Sequence, residues 1–293
     1  MNNNIVAVIV TYNRKNLLLE CINSLLKQEN ISCDILIIDN KSTDGTETAI
    51  KSLDSEKIKY INTGTNLGGA GGFNFGIKKA VELGYEYVWL MDDDCIPKAT
   101  ALFKLNEAGK KYKNFGFLSS KVLWIDGNIC VMNVQRQTMY KNIDYKNNVD
   151  TKITMASFVS CFISVKVIKN VGLPIKEFFI WTDDWEYTRR ITKKYQSFYI
   201  PESVVVHKTQ KNVGANIATE KEERINRFFY LYRNDIYLYK REGLLGYMYI
   251  LVRLIYHSVR ILFISKDNKI KRLKRMFNGT LKGFSFNPSI EKI

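Results

Sequence analysis

Residues 88–97 read Val88-Trp89-Leu90-Met91-Asp92-Asp93-Asp94-Cys95-Ile96-Pro97. Four apolar side chains run straight into three adjacent acids. An apolar run of that length, bounded by a turn signal, is expected to be a buried strand. Three neighbouring carboxylates at its end repel one another unless positive charge sits among them. A hard divalent cation that also holds substrate phosphates supplies that charge. In open α/β sheets, ligands bind outside the carboxyl ends of the strands. An isolated acidic triplet is more often a solvated turn; the apolar run before it and the segments around it reverse that reading here.

Upstream, strand and helix alternate. Ile5–Tyr12 is a β-branched run, followed by Leu17, Leu18, Cys21, Ile22, Leu25 and Leu26 at helical spacing. Cys33–Ile38 is a second strand, ending in Asp39. The cluster from Ser42 to Thr46 opens a helix over Glu47–Leu53. Ile58–Asn62 is a third strand. Asn66-Leu67-Gly68-Gly69-Ala70-Gly71-Gly72-Phe73 precedes a helix to about Leu83, and Val88–Met91 is the fourth strand. This alternation predicts a parallel sheet built from βαβ units. Beyond it, Phe115–Leu123, Ser157–Val165 and Ser197–Val206 look strand-like, Asp184–Lys194 looks helical, and the chain from 219 looks helical almost throughout.

Composition narrows the class. The 293 residues are 46% hydrophobic and 13% aromatic, enough for a substantial core. The five cysteines are odd in number and widely spaced, which argues against a disulfide framework or a zinc site and fits a reducing cytoplasmic setting. Met-Asn-Asn-Asn at the start has no basic leader region, so no signal peptide is expected. The net charge is +15, and residues 221–293 hold 16 Lys/Arg against 6 Asp/Glu. Such a tail suits an anionic surface. Nucleic acid is not the expected partner, because no helix-turn-helix, zinc or RNA-recognition signature accompanies it.

Four further features carry chemistry. The glycines at 68–72 permit close approach of backbone to a ligand, or of helix to sheet. Asp39, at a strand end, can accept from a base or a ribose; alone it would read as a turn cap. Asp183-Asp184-Trp185-Glu186-Tyr187 follows the aromatic frame Phe178-Phe179-Ile180-Trp181. Acids are favoured at any helix start, but a carboxylate beside apolar surface has its pKa raised toward the range of a general base. His207 ends the run Val204-Val205-Val206 and can complete a carboxylate site for Mn²⁺ or Mg²⁺.

In this order the set resembles the family 2 glycosyltransferases of the GT-A fold, over roughly residues 5–235. The matching pieces are Val8 to Arg14, Ile37 to Thr46, Asn66 to Phe73, the Asp92-Asp93-Asp94 triplet, Trp181 to Tyr187, and His207. The glycine and Trp-Thr-Asp-Asp segments look most like galactofuranosyltransferases, with rhamnosyltransferases as close relatives. One departure is Phe75, where galactofuranosyl members often carry Arg.

The resemblance implies an α/β nucleotide-sugar-binding domain over 1–218, with a Rossmann-like mixed sheet flanked by helices, and a helical extension over 219–293. It implies an inverting, metal-dependent transferase acting on a nucleotide sugar, with UDP-galactofuranose favoured and dTDP-rhamnose as the alternative. Asp92, Asp94 and His207 would hold the metal. Asp184, beside Asp183, would be the base. Thr11, Asn13, Arg14, Asp39, Asn66, Gly69, Asp92 and Asp93 would line the donor site, and Trp181 and Trp185 the acceptor side. The acceptor would be a glycan or lipid-linked glycan of cell-surface polysaccharide synthesis. A nucleotidyltransferase could share the sheet and the acids, but the Trp181–Tyr187 segment favours sugar transfer.

Leu244–Phe263 is long enough to test as a membrane span. It carries Arg253, His257 and Arg260 internally, each costly at a bilayer centre. The expectation is instead a helix lying in the interface on the cytoplasmic leaflet, with the basic run 266–275 facing anionic lipid. The alternative is packing on the catalytic core or on a second copy of the chain.

Overall fold

The structure, a computed structural model, describes residues 4–146 and 148–293. The start of the chain, on which the expectation about a signal peptide rests, falls partly on residues 1–3, outside the described residues.

The first half follows the expected alternation: β1 (Ile5–Thr11), α1 (Lys15–Leu26), β2 (Asp34–Asp39), α2 (Thr46–Lys51), β3 (Ile58–Asn62), α3 (Gly68–Glu82) and β4 (Tyr87–Asp92). The pairs β1–β2, β1–β4 and β2–β3 are all parallel. Next come β5 (Cys95–Pro97), α4 (Ala101–Tyr112), β6 (Phe117–Leu123), β7 (Thr151–Ile153), β8 (Cys161–Ser164), α5 (Val165–Val171), α6 (Asp183–Thr192) and β9 (Ser197–His207). Sheet order is β3-β2-β1-β4-β8-β6-β9-β5, with β7 also on β9. The pairs of β8 with β4 and β6 and of β5 with β9 are antiparallel, so the sheet is mixed.

β1 shows why the sheet is covered on both faces. Ile5, Ala7 and Ile9 enter one core with Leu18 and Ile22 of α1 and Leu102 and Leu105 of α4. Val6 and Val8 enter another with Phe73 and Ile77 of α3 and Tyr187 and Ile191 of α6. Alternation at period two gives each face its own apolar set, as a central strand requires.

Two expectations need correction. The glycines at 68–72 lie inside α3, not before it. A Cβ at Gly72 would lie 2.5 Å from a Val10 methyl, and one at Gly76 2.6 Å from Val8 and 2.8 Å from Ile38. These two glycines let the helix sit close on the sheet. The strand expected over 157–165 shortens to Cys161–Ser164, because a turn with Ser160 at φ 62° takes up its start and the Ser164 hydroxyl, accepting from Lys166 N–H, caps α5 at its end. α4 lies in a stretch that the pattern left unassigned.

From 222 the chain is helical: a 3-10 segment Glu222–Arg227, then α7 (Phe228–Tyr239), α8 (Gly243–Ile264) and α9 (Lys269–Ser285). The final residues return to the α/β unit. Leu173 N–H donates to the Glu291 carbonyl (2.9 Å), and Lys78 pairs with the Glu291 carboxylate (2.8 Å).

Candidate active site

The site forms at the carboxyl ends of β1, β2 and β4, as expected for an open α/β sheet. The β5–β9 register sets Cys95 opposite His207, which brings an imidazole distant in sequence onto the acidic turn. Ligand atoms of Asp92, Asp94 and His207 lie within 4.8 Å of one another. His207 Nε2 is 2.9 Å from Asp94 Oδ1 and 4.0 Å from Asp92 Oδ2. Asn133 gives its amide N–H to Ser157 (3.0 Å), so its oxygen faces His207 Nδ1 at 2.7 Å. That contact makes Nδ1 the donor and leaves Nε2 directed at the acids, the arrangement of a metal-ligating histidine held from behind.

Charges in the trio are strongly linked. Burial opposes a charged imidazole, but Asp94, Cys130 and Asp92 outweigh it and raise His207 well above its usual value. Burial likewise pushes Asp94 up, yet His207 and Arg14 hold it below the carboxylate range. Asp92, partly exposed, is raised by desolvation and by Asp94. Asp94 Oδ1 is buried with His207 Nε2 as its near partner. Two carboxylates and one imidazole with converging ligand atoms fit a hard divalent cation.

Asp93 points the other way. Its oxygens accept from the Thr11 hydroxyl (2.7 Å) and Arg14 Nη1 (3.0 Å), and Arg14 also reaches Asp94 (2.6 Å). Thr11 and Asp93 are buried and pin β4 to β1, while Arg14 stays half exposed beside the acids. Burial raises Asp93 to about 6 against the pull of Arg14. Asn13, at φ 54°, links the turns after β1 and β2: its N–H donates to Ser42 (2.8 Å) and its side-chain oxygen accepts from Thr43 N–H (2.7 Å). Asp39 is fully buried and accepts from Ser42 N–H (2.8 Å) and the Tyr60 hydroxyl (2.5 Å). Asn66 accepts from Gly68 N–H (2.9 Å) and shapes the entry to α3. A Cβ on Gly69 would meet nothing within 4 Å, so Gly69 faces open space.

Asp183 and Asp184 open α6. Asp183 is buried; Asp184 is half-buried and accepts from Trp185 N–H (2.7 Å). Burial pushes both acids above the carboxylate range, and the Asp92 charge adds to each shift. The two acid groups, ninety residues apart in sequence, therefore share one electrostatic site. Trp181 is partly buried against Phe228, with ring centres 5.1 Å apart, and Trp185 lies under the Arg136 guanidinium at 4.4 Å.

The backbone before this pair is unusual. Phe179, Trp181 and Thr182 all have positive φ, at 64°, 65° and 68°. Such residues cost about 1–3 kcal/mol each and persist only when the surroundings impose them. α7 imposes them here. Asn234 Nδ2 lies 3.0, 3.1 and 2.9 Å from the carbonyls of Phe178, Ile180 and Trp181. Arg233 donates to the Glu177 carbonyl (2.6 Å) and to Asn234 Oδ1, and Asp235 accepts from the Thr182 hydroxyl (2.9 Å). On the other side, Ala70 N–H donates to the Phe179 carbonyl (3.2 Å), and a Cβ at Gly68 would lie 2.1 Å from that oxygen. Sequence reading missed Asn133 and the Arg233-Asn234-Asp235 triplet. The second had a signal, three consecutive polar residues within the aromatic run Phe228–Tyr239.

The family model described as Glycosyl transferase family 2 matches residues 6–172. The chain belongs to this family. Among relatives of this family 2 enzyme, galactofuranosyltransferase GlfT1 of Mycolicibacterium smegmatis is 22% identical over 81% of the chain and 83% of its own length. The dTDP-rhamnosyl transferase RfbF of Shigella flexneri is 27% identical over 97% and 96%. In fold the enzyme is similar to the mannosyltransferase PcManGT of Pyrobaculum calidifontis, solved with GDP-Man and Mn²⁺, at TM-score 0.58 and 14% identity over 98% of this chain and 76% of that one. It is also similar to S. aureus TarS 1–349 in complex with UDP, at TM-score 0.55 and 16% identity over 97% and 72%. The chain is thus a GT-A glycosyltransferase with galactofuranosyl- and rhamnosyltransferase relatives.

Proposed function

We propose that the enzyme is an inverting, divalent-metal-dependent galactofuranosyltransferase that uses UDP-galactofuranose and a lipid-linked glycan acceptor. The observation that carries the reading is the Asp92–Asp94–His207 cluster in one site with the Asp183–Asp184 pair. Asp92, Asp94 and His207 would hold Mn²⁺ or Mg²⁺, which when bound offsets charge on the leaving diphosphate. Arg14 adds a fixed positive charge beside it.

Asp184, more open than Asp183, accepts the proton of the acceptor hydroxyl. The acceptor oxygen forms the new bond to the anomeric carbon as the bond to the diphosphate breaks. Attack from the opposite face inverts that centre, and no covalent enzyme intermediate is needed. Burial suits Asp184 to this work, because a base with a raised pKa takes a proton more readily. Asp39, fully buried, holds Ser42 N–H and the Tyr60 hydroxyl, so its part is to position the turn after β2 beside which the uridine would sit.

A second reading, a rhamnosyltransferase using dTDP-rhamnose, is favoured by the higher identity to the Shigella protein along nearly full lengths. Incubation with a panel of nucleotide sugars, with and without EDTA, separates the two. Metal-dependent UDP release from UDP-galactofuranose supports the first reading, and faster dTDP release from dTDP-rhamnose supports the second. Release that persists in excess EDTA overturns the metal assignment.

A further inference from the structure

α8 has two unlike faces. Its inner face packs on α7 through Ile250 and Ile261, with Arg253 paired to Asp235 (2.5 Å) and His257 Nδ1 2.7 Å from the Tyr232 hydroxyl. The outer face presents Leu244, Met248, Leu251, Val252, Ile255, Val259, Leu262 and Phe263, all large, apolar and exposed. Their spacing is a single helical stripe, about 30 Å long at 1.5 Å per residue. α9 repeats the arrangement. Met276, Gly279 and Gly283 face inward, while Ile270, Phe277, Leu281 and Phe284 form an exposed stripe. Soluble monomers rarely leave contiguous apolar surface of this extent uncovered.

Among the described residues, the helical run Glu222–Ile264 is long and apolar enough to cross a membrane by length and composition. The inner-face contacts argue against crossing. Arg253 is committed to Asp235, whose other oxygen holds Thr182, so α8 is fastened to the catalytic unit along one side. Only its outer half is free to enter lipid.

We infer that the outer faces of α8 and α9 form a docking surface for an anionic phospholipid bilayer, with α8 lying in the interface. Charge selects this occupant over a second copy of the chain. Lys269, Lys271, Lys274 and Arg275 wall a concavity at the start of α9, and Lys282 is exposed further along it. With +10 over residues 221–293, two such surfaces repel each other, whereas anionic headgroups attract both. Arg272 is not part of this surface. It is buried and donates to the Ile217 and Glu220 carbonyls. The inference stands apart from the choice of donor sugar.

The test is cosedimentation of the full chain with phosphatidylcholine vesicles, with and without phosphatidylglycerol. Binding is expected only where phosphatidylglycerol is present, and high salt should release it. Ile255→Glu with Leu251→Glu, and separately Lys274→Glu with Lys282→Glu, should each weaken binding about tenfold or more. Donor hydrolysis and the melting temperature should be unchanged, which separates lost docking from lost folding. Equal binding to both vesicle types overturns the inference. So does an absence of binding, and so does a dimer in solution that Ile255→Glu dissociates while vesicles remain unbound.

Discussion

Asp183 and Asp184 open α6 with different exposure, and the proposed division of roles rests on that difference. Asp184→Asn is expected to lower kcat by about 10²–10⁴-fold, with donor binding by calorimetry retained. If Asp183→Asn is the more damaging change, the assignment within the pair is reversed. The pair also sets a pH dependence. Asp183 is pushed up to about 7, and Asp184 is raised in the same direction. A base must be ionised to act, so raising its pKa moves the acidic limb of the rate profile upward. Activity should fall as pH drops through neutrality, well above the range of an ordinary carboxylate, and a kcat/KM profile at saturating Mn²⁺ measures this. Asn133 contacts His207 Nδ1 at 2.7 Å. Asn133→Ala should weaken Mn²⁺ affinity about 10–100-fold, read by metal titration. Asp92, Asp94 and His207 stood out as candidates because they end strand-like runs, and Asp183 and Asp184 because they open a helix after an aromatic run. Asn133 did not, because nothing local says which distant ring an amide will meet.

At the scale of elements, α3 and α7 hold the 178–182 loop, just before the Asp183–Asp184 pair, between them. Gly76→Ala places a methyl group against Val8 and Ile38 and should destabilise the fold by about 1–3 kcal/mol through overpacking, visible as a lower melting temperature. The α7 clamp has a different signature. Asn234→Leu removes the donor to three carbonyls of a strained loop, so kcat should fall about tenfold or more while donor affinity holds, since a small misplacement of catalytic groups is costly. A parallel loss of donor affinity would mean that Asn234 supports the whole fold and not the loop. The glycine run was visible in the sequence as a place of close approach. Its partners were not, because glycine spacing reads alike for a phosphate loop and for a helix pressed onto a sheet.

Across the whole molecule, contacts cross the expected boundary near 218. α7 supplies Tyr237 to a cluster with Ala70, Ile175 and Phe178, and the chain end returns to Leu173. A chain ending at 218 would expose that cluster and release the 178–182 loop from its clamp. It is expected to melt at lower temperature than the full chain and to show no transfer, as circular dichroism and the donor assay would report.

What the sequence determined alone was periodic or adjacent. Strand and helix alternation, the acids after Met91, the pair after Trp181 and the basic, aromatic tail all lie in windows of a few residues, where side-chain pattern dictates backbone state. Tertiary structure decided the rest. It turned Asp93 inward to Thr11 while Asp92 and Asp94 meet His207, and it placed the glycines within α3. It also made Arg233-Asn234-Asp235 the brace of a loop fifty residues earlier. The physical reason is common to these cases. A buried polar group must find a partner, and which partner it finds depends on strand register and helix packing, which no local window contains.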